Sequence, residues 1–133
     1  MLGVDRKFSF APNEFYHIYN RGVEKRKIFE DTNDYERLLR SLFIFNSRRE
    51  MSYKDNSGRY LRDIDRGETL VNIGAYTFMP NHFHLLIQAK SDDGTSIFMQ
   101  KLSTGYSLYF NKRHDRTGSL FGSTFQARHV DSE

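Results

Sequence analysis

The sequence has 133 residues, of which 28% are charged and 15% aromatic, and its formal net charge is +3 at pH 7. This composition favours one small globular domain and argues against a disordered tail or a fibrous repeat. The absence of cysteine excludes disulfide scaffolds, thiol catalysis and thiolate metal sites. We therefore expect a single domain over residues 1–133 of a soluble, cytoplasmic protein. No membrane span is expected, because no apolar run approaches the roughly 20 residues that a spanning helix needs.

The first half of the chain predicts one strand and one helix. Residues 14–20 are dense in aromatic and β-branched side chains, which indicates a strand that ends at Asn20-Arg21-Gly22. Asp31 or Thr32 offers an N-cap oxygen, and apolar residues then recur at intervals of three and four over about 32–47, which predicts a helix. Residues 48–68 are polar and charged. We interpret them as an insertion into a core that spans about 14–130.

The second half predicts a hairpin, a second helix and a last strand. Strand-forming residues run from 69 to 79, stop at Pro80-Asn81 and resume over 82–88, which is typical of a tight antiparallel hairpin. An apolar stripe predicts a helix over about 96–113, and residues 119–130 favour a strand. The order β-α-β-β-α-β predicts an α+β, ferredoxin-like fold, with a four-stranded antiparallel sheet and both helices on one face. The other face of that sheet is then open to binding or chemistry.

Two histidines on the third predicted strand are the strongest chemical signal. Alternate side chains of a strand share a face, so His82 and His84 point one way while Phe83 and Leu85 point into the apolar layer. Two imidazoles held on one strand can bind a divalent metal ion, although two ligands are an incomplete set. The pattern alone also fits two exposed strand histidines without a role. We expect His17 to be an inner or edge strand residue that could approach the metal.

Positive charge is concentrated in the last third of the chain. Residues 101–128 contain five basic residues and one acidic residue, Asp115. Such a patch fits a polyanion partner and equally fits a solvated surface. The five basic residues are Lys101, Lys112, Arg113, Arg116 and Arg128.

The run Met-Pro-Asn-His-Phe-His at 79–84 resembles the signature of bacterial HUH single-tyrosine transposases, particularly the REP-associated branch. Three further motifs resemble the family in the same order along the chain. Residues 16–22 match its first strand, 109–113 its second helix, and 118–121 the turn into its last strand. Phe121 stands where a tryptophan is common. The resemblance covers about residues 14–130.

The resemblance implies a homodimeric protein that cuts and rejoins single-stranded, hairpin-bearing DNA. His82 and His84 would hold Mg²⁺ or Mn²⁺, which polarises the scissile phosphate, and a tyrosine hydroxyl would attack the phosphorus to give a 5′-phosphotyrosine. Basic residues would neutralise phosphates, and strand aromatics could stack on unpaired bases. The expected DNA contacts are Asn20, Arg21, Lys25, Arg26, Lys27, Lys112, Arg113, Arg116 and Arg128.

In the family the nucleophilic tyrosine lies on a helix after the last strand, and that helix commonly supplies the third metal ligand. We therefore expect the nucleophile beyond Glu133, so that this chain by itself lacks it. Tyr106 and Tyr109 are the alternatives within the sequence, but both lie on the apolar side of the second helix, which favours a core role. Two other functions stay open. One is a non-catalytic module of the same fold that binds single-stranded nucleic acid, and the other is a metal-dependent hydrolase without a covalent intermediate.

Overall fold

The computed structural model describes residues 9–131, which form four strands and two long helices. The strands are β1 (Phe15–Arg21), β2 (Val71–Met79), β3 (His82–Ala89) and β4 (Gln126–Val130), and the helices are α1 (Thr32–Ile44), α2 (Tyr53–Asn56) and α3 (Gly94–Arg113). The sheet has the order β2-β3-β1-β4, and every neighbouring pair is antiparallel. The α+β, ferredoxin-like arrangement is confirmed. Within residues 9–131, no helix is long and apolar enough to cross a bilayer.

The apolar core lies between one face of the sheet and the helices α1 and α3. Alternation along β1 and β3 buries every second residue, and the helices meet this layer with their apolar sides. The Asp31 side chain accepts a hydrogen bond from the Asp34 backbone N–H and caps α1, as predicted. The strand and helix residues that form the centre of this core are Tyr16, Ile18, Leu38, Leu42, Phe83, Leu85, Ile87, Phe98, Leu102, Tyr106 and Phe110.

Two predicted boundaries are wrong. Helix α1 ends at Ile44, because the Asn46 side chain leaves the helix to bind the backbone of Leu70 and Val71. The last strand begins at Gln126 and not at 119. Residues 119–125 form a loop whose apolar side chains are buried, and only a single bridge joins Phe121 to Gly22. The apolar character of this segment therefore reflects core burial without strand pairing.

Candidate metal and nucleic-acid site

The sheet face that points away from the helices carries both predicted metal ligands. Along β3 the side chains of Phe83 and Leu85 are buried, while His82 and His84 face outwards and are half-buried. Strand β1 places Tyr19 directly opposite His84 and Arg21 opposite His82. Because residues that oppose each other in an antiparallel pair share a face, an aromatic and a basic side chain flank the two histidines.

Strand β1 also brings a third histidine to this face. The Nε2 atom of His17 lies 2.8 Å from Nδ1 of His84, and the two rings stack with 5.0 Å between their centroids. The ring of Tyr19 stacks against His17 at 4.8 Å and against His84 at 5.8 Å. The sequence analysis allowed His17 to approach the metal but did not predict its contact with His84. The register between β1 and β3 decides which residues meet, and the periodicity of one strand does not reveal it.

His82 is held by its neighbour in the β2–β3 turn. Its Nδ1 atom lies 2.7 Å from Oδ1 of Asn81, and the Asn81 Nδ2 group donates a hydrogen bond of 3.4 Å to the Lys25 carbonyl. The Nδ1 atoms of His82 and His84 are thus both in hydrogen bonds. Among residues 9–131, no partner is hydrogen-bonded to the Nε2 atom of either ring.

The donor atoms suit a divalent metal ion. Burial, reinforced by the neighbouring His17 and His82, lowers the pKa of His84 below its ordinary value, which favours the neutral imidazole that a metal ion requires. Imidazole nitrogens suit first-row transition metals better than they suit Mg²⁺. In the described part of the chain no group of three or more His, Asp or Glu side chains is placed to hold a metal ion. The Nε2 atom of His17 lies against Nδ1 of His84, so His17 is a partner of His84 in this structure.

A cleft of about 770 Å³ lies beside the histidines, where β1 ends and the 119–125 loop passes. Arg21 and Lys25 line it together with His82 and His84.

Asn20, which we expected to contact DNA, is only 4% exposed. Its Nδ2 group donates to the Ser123 carbonyl and its Oδ1 accepts from the Arg21 backbone, so it fixes the wall of the cleft.

The other basic residues expected to contact DNA fall into two groups. Lys27, Lys112 and Arg128 are exposed, and Arg128 lies directly opposite His17 on the histidine face. Arg26 lies over the Phe110 ring, 5.3 Å from its centroid, and pairs with Glu30 at 3.6 Å.

Two arginines of the expected set have structural partners instead. Arg113 binds Asp31 and the fully buried Asp34 at 2.6 and 2.7 Å. Arg116 donates to the Asn111 side chain and to the Ser119 carbonyl. Both guanidinium groups are thus engaged in holding the end of α3, and we do not include them in the nucleic-acid surface.

The two alternative tyrosines lie on the helix side of the sheet. Tyr106 is fully buried in the core, its hydroxyl donates to the Ile28 carbonyl, and burial raises its pKa. The Tyr109 hydroxyl donates to Asp34 at 2.6 Å, and burial together with that carboxylate raises the pKa of Tyr109 to about 12. These contacts support the core role that the sequence favoured, because a nucleophile needs an accessible and readily ionised hydroxyl.

Several solved structures resemble the fold of this chain, two transposases among them. One is a REP-associated tyrosine transposase bound to a REP hairpin, with a TM-score of 0.58 and 11% identity. The other is a candidate transposase from Deinococcus radiodurans R1, with a TM-score of 0.57 and 13% identity. Each match covers 96% of this chain, which spans 62% of the first protein and 84% of the second. No curated protein matches the sequence significantly.

The sequence also matches a known protein family over nearly its whole length, and not only at single motifs. Residues 13–132 match the family described as "Transposase IS200 like". That range includes all four strands, both long helices and the histidine pair. The chain therefore belongs to the family of IS200-like transposases.

Proposed function

We propose that the protein acts in the cytoplasm as a metal-assisted transposase or transposase-derived endonuclease on single-stranded, hairpin-bearing DNA. One observation carries this proposal. His82 and His84 face outwards with each Nδ1 in a hydrogen bond, and they line a cleft together with Arg21 and Lys25. Metal-ligand nitrogens next to basic side chains fit a phosphodiester better than a neutral substrate.

The residues of the open face would bind the metal ion, the phosphates and the bases of the DNA. His82 and His84 would hold Mn²⁺ or Mg²⁺ through their Nε2 atoms. Such an ion, when bound, would polarise the scissile phosphate and stabilise the charge that develops on its oxygens. Arg21 and Lys25 would neutralise the phosphates on either side in the cleft, and Arg128 would extend the basic track across β1. The exposed ring of Phe15, also on this face of β1, offers a stacking surface for an unpaired base.

Cleavage would proceed by transfer of the phosphoryl group to a tyrosine. The phenol loses its proton and its oxygen forms a bond to phosphorus. The bond between phosphorus and O3′ breaks, and the 3′ oxygen takes up a proton. The product is a 5′-phosphotyrosine and a free 3′-OH, which can reverse the reaction and rejoin strands without a nucleotide cofactor. We propose that the nucleophile lies beyond Glu133, since Tyr106 and Tyr109 are committed to the core.

Tyr19 is the tyrosine that lines the cleft with the histidines, so it is the internal competitor for this role. Its ring is stacked on His17 and lies close to His84. We assign it to packing the histidine rings and, once DNA is bound, to contact with a base.

We further propose that two copies of the protein pair as a homodimer. Strands β2 and β4 lie at the two edges of the sheet, so within the described residues no further strand covers the outer side of either. Pairing of such edges between copies is a common way to cover them.

DNA cleavage tests the proposal directly. Residues 1–133 and a form extended past Glu133 are incubated with hairpin-bearing single-stranded DNA and Mn²⁺, and covalent adducts are resolved on a denaturing gel. We expect binding by both forms and an adduct from the extended form only, which His82→Ala abolishes.

In residues 1–133, Arg21→Ala should weaken binding and reduce the salt slope by about 0.7, as expected for one lost phosphate contact on a single strand. Lys54→Ala, an exposed change on α2, is the matched control.

Three outcomes would contradict parts of this proposal. An adduct formed by residues 1–133 and lost in Tyr19→Phe would make Tyr19 the nucleophile. Cleavage that survives His82→Ala would remove the metal role of the histidine pair. Metal-independent binding with no adduct from either form would favour the non-catalytic module of the same fold.

A further inference from the structure

The two histidines of the candidate metal site are each tied to a neighbour by the same ring atom. Asn81 contacts Nδ1 of His82 and His17 contacts Nδ1 of His84. In both rings the opposite nitrogen, Nε2, is the atom left for a ligand. A histidine presents a lone pair at Nε2 only when its ring proton is on Nδ1, so the partner at Nδ1 decides whether the ring can bind a metal ion.

For His82 the chemistry of the partner sets the tautomer. The Asn81 amide is oriented by its Nδ2 group, which donates to the Lys25 carbonyl, and its backbone carbonyl accepts from the Gly22 N–H at 3.0 Å. The Oδ1 atom that faces His82 can only accept a hydrogen bond. The proton is therefore on Nδ1 of His82, and its Nε2 carries the lone pair.

For His84 the partner is another imidazole, which can donate or accept. If His17 donated from Nε2, the proton of His84 would sit on Nε2 and the ring could not bind a metal ion there. If His17 accepts, the proton sits on Nδ1 of His84 and Nε2 is available. The stacking of His17 on Tyr19 and on His84 restricts the ring of His17 and keeps its Nε2 in place.

We propose that His17 is a positioning residue, which accepts the Nδ1 proton of His84 and thereby presents the Nε2 lone pair of His84 to the metal ion. Asn81 performs the same task for His82, so each ligand has its own acceptor on a neighbouring segment. This inference rests on the proposed function, because it assumes that the pair binds a metal. It adds a residue of β1 to the determinants of metal affinity without making that residue a ligand.

Two substitutions separate an acceptor role from a packing role. In His17→Gln the amide oxygen can still accept from His84 while the aromatic ring is lost. In His17→Phe the ring stacking on Tyr19 is kept while the acceptor is lost. Loss of a hydrogen-bonding partner behind a metal ligand typically lowers affinity by roughly 10- to 100-fold. We expect a loss of this size in the Mn²⁺ affinity of His17→Phe. His17→Gln should bind Mn²⁺ substantially more tightly than His17→Phe does. His129→Phe, which alters an exposed histidine paired with Glu14, should leave Mn²⁺ affinity unchanged.

The tautomer itself is measured without any metal. Long-range ¹H–¹⁵N spectra of the ring nitrogens, recorded on the metal-free chain with neutral histidines, should show the proton of His84 on Nδ1 in the wild type and in His17→Gln. In His17→Phe it should move towards Nε2. A backbone amide spectrum of each variant checks that the fold is retained.

The tautomer of His84 and the affinity for Mn²⁺ test separate claims. If His84 carries its proton on Nε2 in the wild type, or if His17→Phe binds Mn²⁺ as the wild type does and His17→Gln does not, the positioning role is wrong. If the wild type binds no Mn²⁺ while the Nδ1 tautomer of His84 is present and depends on His17, the metal role in the proposed function fails and the role of His17 in setting the tautomer stands.

Discussion

The carboxylate of Asp34 joins the start of α1 to the end of α3 from a fully buried position. It accepts hydrogen bonds from the Tyr109 hydroxyl and the Arg113 guanidinium, and from the backbone N–H of Glu30, while His114 lies 2.9 Å away. Burial opposes the charged form, but these hydrogen bonds outweigh it, and the pKa of Asp34 lies below its ordinary value. The ionised carboxylate is thus the form that the folded protein requires.

Removing this carboxylate should destabilise the fold strongly. Asp34→Ala leaves the hydroxyl of Tyr109 and the charge of Arg113 without their buried partner, and we expect the free energy of unfolding to fall by about 3 kcal/mol. Urea unfolding followed by circular dichroism measures this change. Asp92→Ala, at an exposed loop carboxylate, is the control and should stay within about 0.5 kcal/mol of the wild type. A loss below about 1 kcal/mol for Asp34→Ala would show that the network contributes little.

At the scale of elements, the join between β1 and the turn that follows it shapes the cleft. Gly22 directly follows the last residue of β1, and its N–H donates to the Asn81 carbonyl, which ties this end of β1 to the β2–β3 turn. A Cβ atom at Gly22 would lie 2.2 Å from the Arg26 backbone carbonyl oxygen, closer than any real contact. Glycine is therefore required here by the approach of the backbone and not by its own dihedral angles, which are those of extended chain.

Two glycines that line the same cleft give a matched test of this requirement. Gly22→Ala forces the backbone of the turn to move, and we expect a loss of about 1–3 kcal/mol in stability. Gly122→Ala places its Cβ no closer than 3.7 Å to its nearest neighbour, so its stability should change by less than about 0.5 kcal/mol. Thermal unfolding of the two variants distinguishes them. Equal melting temperatures would contradict the packing described at Gly22.

The elements were predictable from the sequence where their periodicity is unambiguous. The alternation of apolar and polar residues in β3 and the apolar residues three and four positions apart in α1 predicted both elements and their buried sides. The same reasoning placed a strand at 119–125, because burial of Leu120, Phe121 and Phe125 in a loop produces an apolar run without strand pairing. Residues 48–68 gave no periodic signal, and they hold only short helical turns.

At the scale of the whole molecule, the sequence predicted the site only in part. The motif at 79–84 pointed to His82 and His84, since alternation along one strand is a local property. The contact between His17 and His84 joins residues 67 positions apart, and the register of two strands determines it. Charge alone likewise could not separate Arg21, which lines the cleft, from Arg113, which Asp31 and Asp34 hold at the opposite side of the sheet.

The open face of the sheet thus combines histidines, a basic cleft and aromatic rings, while the helix face provides the stability. The side chains proposed to bind the metal ion and DNA on that face come from β1, β3, β4 or the segment that follows β1. Strands hold such side chains more rigidly than loops do, which favours a preorganised site.

The binding of Mn²⁺ to the histidine pair is the most direct test of the central claim. Electron spin-echo spectra of Mn²⁺ bound to the chain detect the ¹⁴N nuclei of coordinated imidazoles. The wild type should show two such nitrogens, and His82→Ala and His84→Ala should each show one and bind more weakly, while His129→Ala should match the wild type. Bound Mn²⁺ without imidazole nitrogen, or with two nitrogens retained in His82→Ala, would contradict the assignment of the metal site.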